Sequence, residues 1–218
     1  MLTQDHRYEF RGFILKKLVL IGGGGFSSEV AEVAVQNGFE VIGYVDMVQT
    51  DSDLRYLGVP EDYFSSNAQP EFVFPAFGAV DRKGLLRRSA KLAVMGDINV
   101  PALVSSHAYI SSSVKLGRGA FISHGVVVNP NTYIGDFSIV NSGTTIGHNV
   151  IVSNFSIISG NVFVGGGCKI GENTIVGPGV TIMQSVDIGS EVVLSVGSTV
   201  GRNVPDGKTT LPSLSKYV

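Results

Sequence analysis

Every sixth residue from Val104 to Val200 is Val, Ile or Leu, seventeen times in succession and without an insertion or deletion. The middle of the series reads Val128, Ile134, Val140, Ile146, Val152, Ile158, Val164, Ile170, Val176 and Ile182. Four residues after each stands a small or β-branched residue, among them Ala120, Val126, Thr132, Ser138, Thr144, Val150 and Cys168. A fixed short period marks a solenoid, and a six-residue period with β-branched inward positions specifies a parallel β-helix. Three hexads make one triangular coil, coils stack at roughly 4.7–4.9 Å, and seventeen hexads give a little under six coils. Each inward aliphatic is worth about 1.5–3 kcal/mol when buried, an upper estimate. Gly, Asn, Asp and Pro fall at the corners, where the chain must turn sharply.

Residues 16–97 follow a different logic. Leu18–Ile21 is a short apolar strand, Gly22–Gly25 a glycine turn, and Ser27 or Ser28 is a candidate cap for a helix through Val30, Ala31, Val33 and Ala34. Val41–Val45 is a second strand ending at Asp46, Phe72–Phe77 a third, and Asp81–Leu92 a basic amphipathic helix. Alternating strands and helices with short connections imply a small Rossmann-like parallel sheet, whose ligands lie beyond the carboxyl ends of the strands. The expected organisation is an extension (1–15), this α/β domain (16–97), the solenoid (98–205) and a tail (206–218).

Composition narrows the function. A net charge of −2 with 16% charged residues gives no case for a nucleic-acid partner. No apolar run reaches the roughly 18–20 residues needed for membrane insertion. The single cysteine, Cys168, falls on an inward phase and excludes a disulfide framework, which fits a reducing, cytoplasmic setting. His6 lies in the extension without context. His107, His124 and His148 fall at corner phases, and the 24 residues between the last two put them on different prism edges. Convergent spacing for zinc is missing, so no metal is expected.

The stretch Asn141-Ser-Gly-Thr-Thr-Ile-Gly-His148-Asn149, followed by the glycine-rich run from Ser159 to Asn173, carries a resemblance. Together with the glycine turn, Tyr44-Val-Asp46, Ala76-Phe-Gly78, Arg82 and the entry Pro101 to Ile110, it resembles the bacterial sialic acid O-acetyltransferase and nucleotide-amino-sugar N-acetyltransferase family of hexapeptide-repeat acyltransferases. The resemblance implies a left-handed β-helix, a homotrimer, and acetyl-CoA lying between neighbouring prisms. It makes His148 the general base, with Asn149 beside it. Gly165, Gly166 and Gly167 become candidates for oxyanion and coenzyme contacts, with Ile157 and Lys208 also on the coenzyme side. Gly24, Gly25, Phe26, Asp46 and Asn141 become candidates for the sugar acceptor.

The chain departs from its relatives in three places. Asn149 stands where an acidic residue is usual, and an amide orients an imidazole but supplies no charge. Ile157 stands where a second histidine is common. The glycine turn continues Phe26-Ser27-Ser28 where relatives have His-Gly-Lys. The resemblance therefore implies an acetyl-CoA-dependent acyltransferase acting on an amino sugar, nucleotide-linked, for surface glycan synthesis. A sialic acid O-acetyltransferase and a non-catalytic trimeric relative with a binding or regulatory role are the alternatives.

Overall fold

The computed structural model describes residues 16–65, 70–93, 95–96 and 98–211. The extension 1–15 with His6, and the tail lysine Lys216 and Pro212, lie outside the described residues.

The first region is a three-stranded parallel sheet in the order β2-β1-β3, formed by β1 (Lys16–Ile21), β2 (Phe39–Val45) and β3 (Phe72–Pro75). Leu18, Val19 and Leu20 are fully buried, which is why β1 is apolar on both faces and central. Helix α1 (Phe26–Gln36) follows β1 and buries Val30, Ala31, Val33 and Ala34 against the sheet. The expected serine cap is corrected here. The N-cap is Gly25 without a side-chain bond, and Ser27 lies inside the first turn, its hydroxyl donating to Gly24 O at 2.7 Å. A short helix, α2 (Pro60–Ser65), was not anticipated; its six residues are too few to show a helical period, although Tyr63 and Phe64 pack partly buried against the core. Helix α3 (Arg82–Ala93) is capped by Asp81, whose Oδ1 accepts from Gly84 N–H at 2.6 Å.

From Leu103 onward two-residue strands repeat through three parallel sheets of six, six and five strands. The first face holds Leu103–Val104, Phe121–Ile122, Ile139–Val140, Ile157–Ile158, Ile175–Val176 and Val193–Leu194. The second runs from Tyr109–Ile110 through Thr145–Ile146 and Phe163–Val164 to Thr199–Val200, and the third from Lys115–Leu116 through Tyr133–Ile134 and Ile151–Val152 to Asp187–Ile188. The aliphatic position of each hexad points inward: Ile122, Val128, Ile134, Val140, Ile146, Val152 and Ile158 are all fully buried. Polar residues on the small inward position are also satisfied. The Thr132, Thr144 and Thr174 hydroxyls each donate to a carbonyl fifteen residues on, at 2.7–2.8 Å, and accept a backbone N–H from the next coil.

The fourth position of the hexads from Gly119 to Gly197 has positive φ, and Gly or Asn fills most of them. Phe137 (φ 54°) and Phe155 (φ 60°) are exceptions. Their rings stack at 5.8 Å beneath the α/β region, so interdomain packing holds a conformation unfavourable for a bulky side chain.

The α/β region is docked on the first face. Phe26 meets Phe121 edge-on at 5.1 Å. Asn37 Nδ2 donates to Val104 O at 2.7 Å, Ser106 N–H donates to Gln36 at 2.9 Å, and the Ser123 hydroxyl donates to Glu29. Helix α1 thus lies along one prism edge with its N-terminus pointing at the middle coils.

The described part of the tail differs from the expected boundary at 205. Gly207 N–H donates to Ser190 O and Thr210 N–H to Val193 O, so the chain keeps solenoid pairing to Thr210.

Candidate functional site

His148 stands at the third position of its hexad, on the exposed corner between the second and third faces. Its imidazole lies flat against the next coil. A Cβ built on Gly166, one coil further along the same corner, would fall 2.7 Å from both Cε1 and Nε2. No side chain other than hydrogen fits there, and the glycine sets the height of the ring. Asn149, at a left-handed corner position (φ 55°), brings Nδ2 to 2.9 Å from His148 Nδ1. The residue types favoured at such a corner are Gly and Asn, so Asn149 serves both the turn and the imidazole.

The glycine triplet divides. Gly165 N–H is spent on Ile182 O and Gly167 N–H on His148 O, each at 2.8 Å. Among the described residues Gly166 N–H has no acceptor. The expectation that all three offer donors is thereby narrowed to Gly166. Gly165 is required by the fold itself, since a Cβ there would fall 2.5 Å from Gln184 N.

A second constellation lies elsewhere. A cleft of about 550 Å³ opens between the α/β region and the first face, lined by Phe26, Gly78–Asp81, Lys83, Gly84, Arg87, Ile139, Asn141, Ile157 and Ser159. Asn141 and Phe26, both expected on the acceptor side, line this one cleft. Ile157, expected on the coenzyme side, also lines this cleft and lies on a different face from Gly165–Gly167 of the same chain. The nine residues from His148 carry the backbone across the whole third face and onto the first.

Asp46 belongs to the glycine turn. Its Oδ2 accepts from Gly23 N–H at 3.0 Å and its Oδ1 from Met47 N–H at 2.7 Å. A side chain at Gly23 would collide with the Tyr44 ring, whereas Gly24 and Gly25 face open space. Lys208 is exposed at the far end of the solenoid, remote in sequence and coil from His148.

The other histidines are not isolated. His107 and His124 have ring centroids 5.9 Å apart, and His124 Nδ1 lies 2.6 Å from Ser105 Oγ while Nε2 lies 3.8 Å from Glu32. Among the described residues no group of three or more His, Cys, Asp or Glu converges on a metal position, and no helix is long and apolar enough to cross a membrane.

Sequence reading missed the division of labour along α3. Arg88, 3% exposed, donates to Phe77 O at 3.0 Å and Phe137 O at 2.8 Å; burial lowers its pKa to about 10. Arg82 donates to Glu191 O and Gly207 O on the last coils. Lys83 and Arg87 face the cleft. The basic character of this helix was legible, but which cation meets which surface depends on the docking.

Residues 98–209 match the family described as the GMPPB C-terminal domain, and residues 17–84 that described as the PglD N-terminal domain. A comparison with curated proteins returned no match. Among solved structures, the acetyltransferase domain of PglB from Neisseria gonorrhoeae FA1090 in complex with acetyl coenzyme A is 26% identical, covering 89% of this chain and 95% of that one at a TM-score of 0.80. PerB from Caulobacter crescentus, in complex with CoA and GDP-perosamine, is 25% identical over 89% and 93% of the two chains at a TM-score of 0.76. WeeI from Acinetobacter baumannii AYE, 19% identical over 89% and 95%, shares the fold at a TM-score of 0.78.

Proposed function

The chain belongs to the family of the GMPPB C-terminal domain, and from that premise we propose that it is an acetyl-CoA-dependent acetyltransferase acting on the amine of a nucleotide-linked amino sugar. The observation that carries the reading is the exposed His148 imidazole lying on Gly166, beside the one unspent N–H of the glycine triplet. The acetyl-CoA complex of the PglB domain and the CoA and GDP-perosamine complex of PerB support the choice of donor and acceptor class.

The chemistry follows from those groups. The acceptor amine attacks the thioester carbonyl and the carbonyl π electrons move to oxygen. With the Asn149 amide turned so that its oxygen accepts from Nδ1–H, His148 Nε2 takes the proton from the attacking nitrogen, and Gly166 N–H on the same corner donates to the oxyanion. As the C–S bond breaks, the imidazolium returns the proton to the departing sulfur. The role of Asn149 is to hold the ring.

Within one chain the His148 corner and the Asn141 cleft lie on different edges of the prism. The exposed apolar residues flanking His148 are Phe163 on the second face and Tyr133 and Ile151 on the third, 48%, 38% and 43% exposed. These two faces are suited to pack against a neighbouring prism, and we assign the protein as a homotrimer with acetyl-CoA in the seam. Its reaction belongs in the cytoplasm, a reducing compartment that suits the lone thiol Cys168.

The test is thiol release from acetyl-CoA with a panel of nucleotide-linked amino sugars, their free counterparts and hydroxyl-only sugars. Amine-dependent release with an acetylated sugar product is expected. Release only with hydroxyl acceptors, or none above solvent hydrolysis, overturns the reading.

A further inference from the structure

Lys83 and Arg87 break two local rules at once. They are like charges four residues apart on one helix face, a pairing that destabilises a helix by about 0.2–0.5 kcal/mol. Lys83 is also in the first turn of α3, where the helix dipole disfavours cations; that turn holds no acid of its own, and the Asp81 cap gives its Oδ1 to Gly84 N–H. Arg82 and Arg88 break similar rules but are held by solenoid and strand carbonyls, and Lys91 lies 5.9 Å from the Phe77 ring centroid. Among the described residues Lys83 and Arg87 have no ion-pair or hydrogen-bond partner. Unfavourable local choices without an internal compensation are expected at functional positions.

Both side chains line the 550 Å³ cleft, a size suited to a small ligand. The opposite wall carries Asn141 and Ser159 from the first face, and Phe26 from the N-terminal turn of α1 adds the positive end of an eleven-residue helix. The only acid on the lining is Asp81, whose Oδ1 is occupied by Gly84 N–H. The glycine turn is a poorer seat for phosphate. Gly23 N–H is already given to Asp46, so an anion there would meet a carboxylate, and residues 22–28 contain no cation.

We propose that Lys83 and Arg87 bind the diphosphate of the sugar-nucleotide acceptor, making the cleft between α3 and the first solenoid face the subsite that selects a nucleotide-linked sugar over the free one. This rests on the acceptor reading above, and binding measured without turnover separates the two. Coenzyme A also carries a diphosphate, so the experiment must tell the sources apart.

The wild type, the Lys83→Ala/Arg87→Ala double variant and Arg87→Lys are titrated calorimetrically with UDP, GDP, uridine, guanosine and CoA. Melting curves verify the fold, since both side chains are exposed. At least one nucleoside diphosphate is expected to bind the wild type, roughly ten- to a hundredfold more weakly to the double variant. Arg87→Lys keeps most of the affinity, and nucleoside and CoA binding stay constant. Equal diphosphate affinity in the double variant overturns the proposal, as does failure of both diphosphates to bind the wild type. A parallel loss of CoA affinity also overturns it, by giving the cleft to the coenzyme. Absence of acetyl transfer while the diphosphates bind as described would instead defeat the acetyltransferase reading alone.

Discussion

The side-chain amide of Asn149 lies 2.9 Å from Nδ1 of His148. That contact decides which ring nitrogen carries the proton. With the amide NH₂ toward the ring, Nδ1 accepts, the proton is on Nε2, and the exposed nitrogen is no base. Turning the amide by half a revolution presents Oδ1, fixes the proton on Nδ1 and frees Nε2. A carboxylate at 149 has only the second arrangement, and its charge favours the imidazolium. Asn149→Asp should therefore raise kcat by about tenfold or more and move the acid limb of the pH–rate profile to higher pH. Stopped-time thiol release across pH 5–9 (about the range where an imidazole titrates) reads both effects, and an unmoved profile would separate residue 149 from the base.

Gly166→Ala puts a methyl 2.7 Å from Cε1 and Nε2 of His148. The ring has to swing outward, whereas the coil backbone keeps its pairing. A loss of about a hundredfold in kcat is expected for a displacement of this order, with far-UV circular dichroism and melting temperature close to those of the parent. Full activity in this variant would mean that the ring position seen here is not the working one.

Arg88 ties α3 to the solenoid through Phe77 O and Phe137 O, and no carboxylate faces it among the described residues. Its Nη1 is buried without a partner. Arg88→Met removes the desolvated charge but strands two carbonyls, so a net loss of roughly 2–3 kcal/mol and a fall in Tm of roughly 4–12 °C are expected. The pH effect has a definite sign. Burial sets the folded pKa at about 10, below that of the unfolded chain. Above that value the unfolded chain holds more protons and the native wild type gains stability as pH rises; below it the full desolvation cost is present. Equal melting temperatures for the two proteins at neutral pH would show that the charge and its hydrogen bonds cancel.

Cys168 is fully buried on the inner wall, and its Sγ donates to Met183 O at 3.0 Å. Burial pushes the thiol pKa above its ordinary value. Thiolate reagents should leave the native protein unlabelled for hours at pH 8 while labelling it completely in denaturant. The raised value adds stability that is complete below the unfolded pKa and disappears as pH climbs through the folded one. Rapid stoichiometric labelling of the native chain would place Cys168 elsewhere.

The solenoid was legible because its period is local: Ile146 and Val164 need only their own hexads to declare themselves inward. The corner position of His148 was legible for the same reason, while its choice over His107 and His124 came from the resemblance alone. The contact with Gly166 was not, since a ring lying on the next coil depends on the vertical registration of two corners. Ser27 misled because a hydroxyl near a helix start caps well in general, yet here the cap position is Gly25, two residues earlier, and the hydroxyl turns back to Gly24 O. Ile157 came from the resemblance, as the position where relatives carry a second histidine, and its half-coil offset from His148 puts it on another face of the same prism. The cleft was invisible because it exists only once α1 and α3 are docked on the first face.

The most direct test of the account is the rate of acetyl transfer to an amino-sugar nucleotide by His148→Ala. A fall in kcat of about 10²–10⁴-fold, with acetyl-CoA affinity and melting temperature retained, is the predicted result for loss of a general base. An unchanged kcat would contradict it and remove the imidazole at the prism corner from the chemistry.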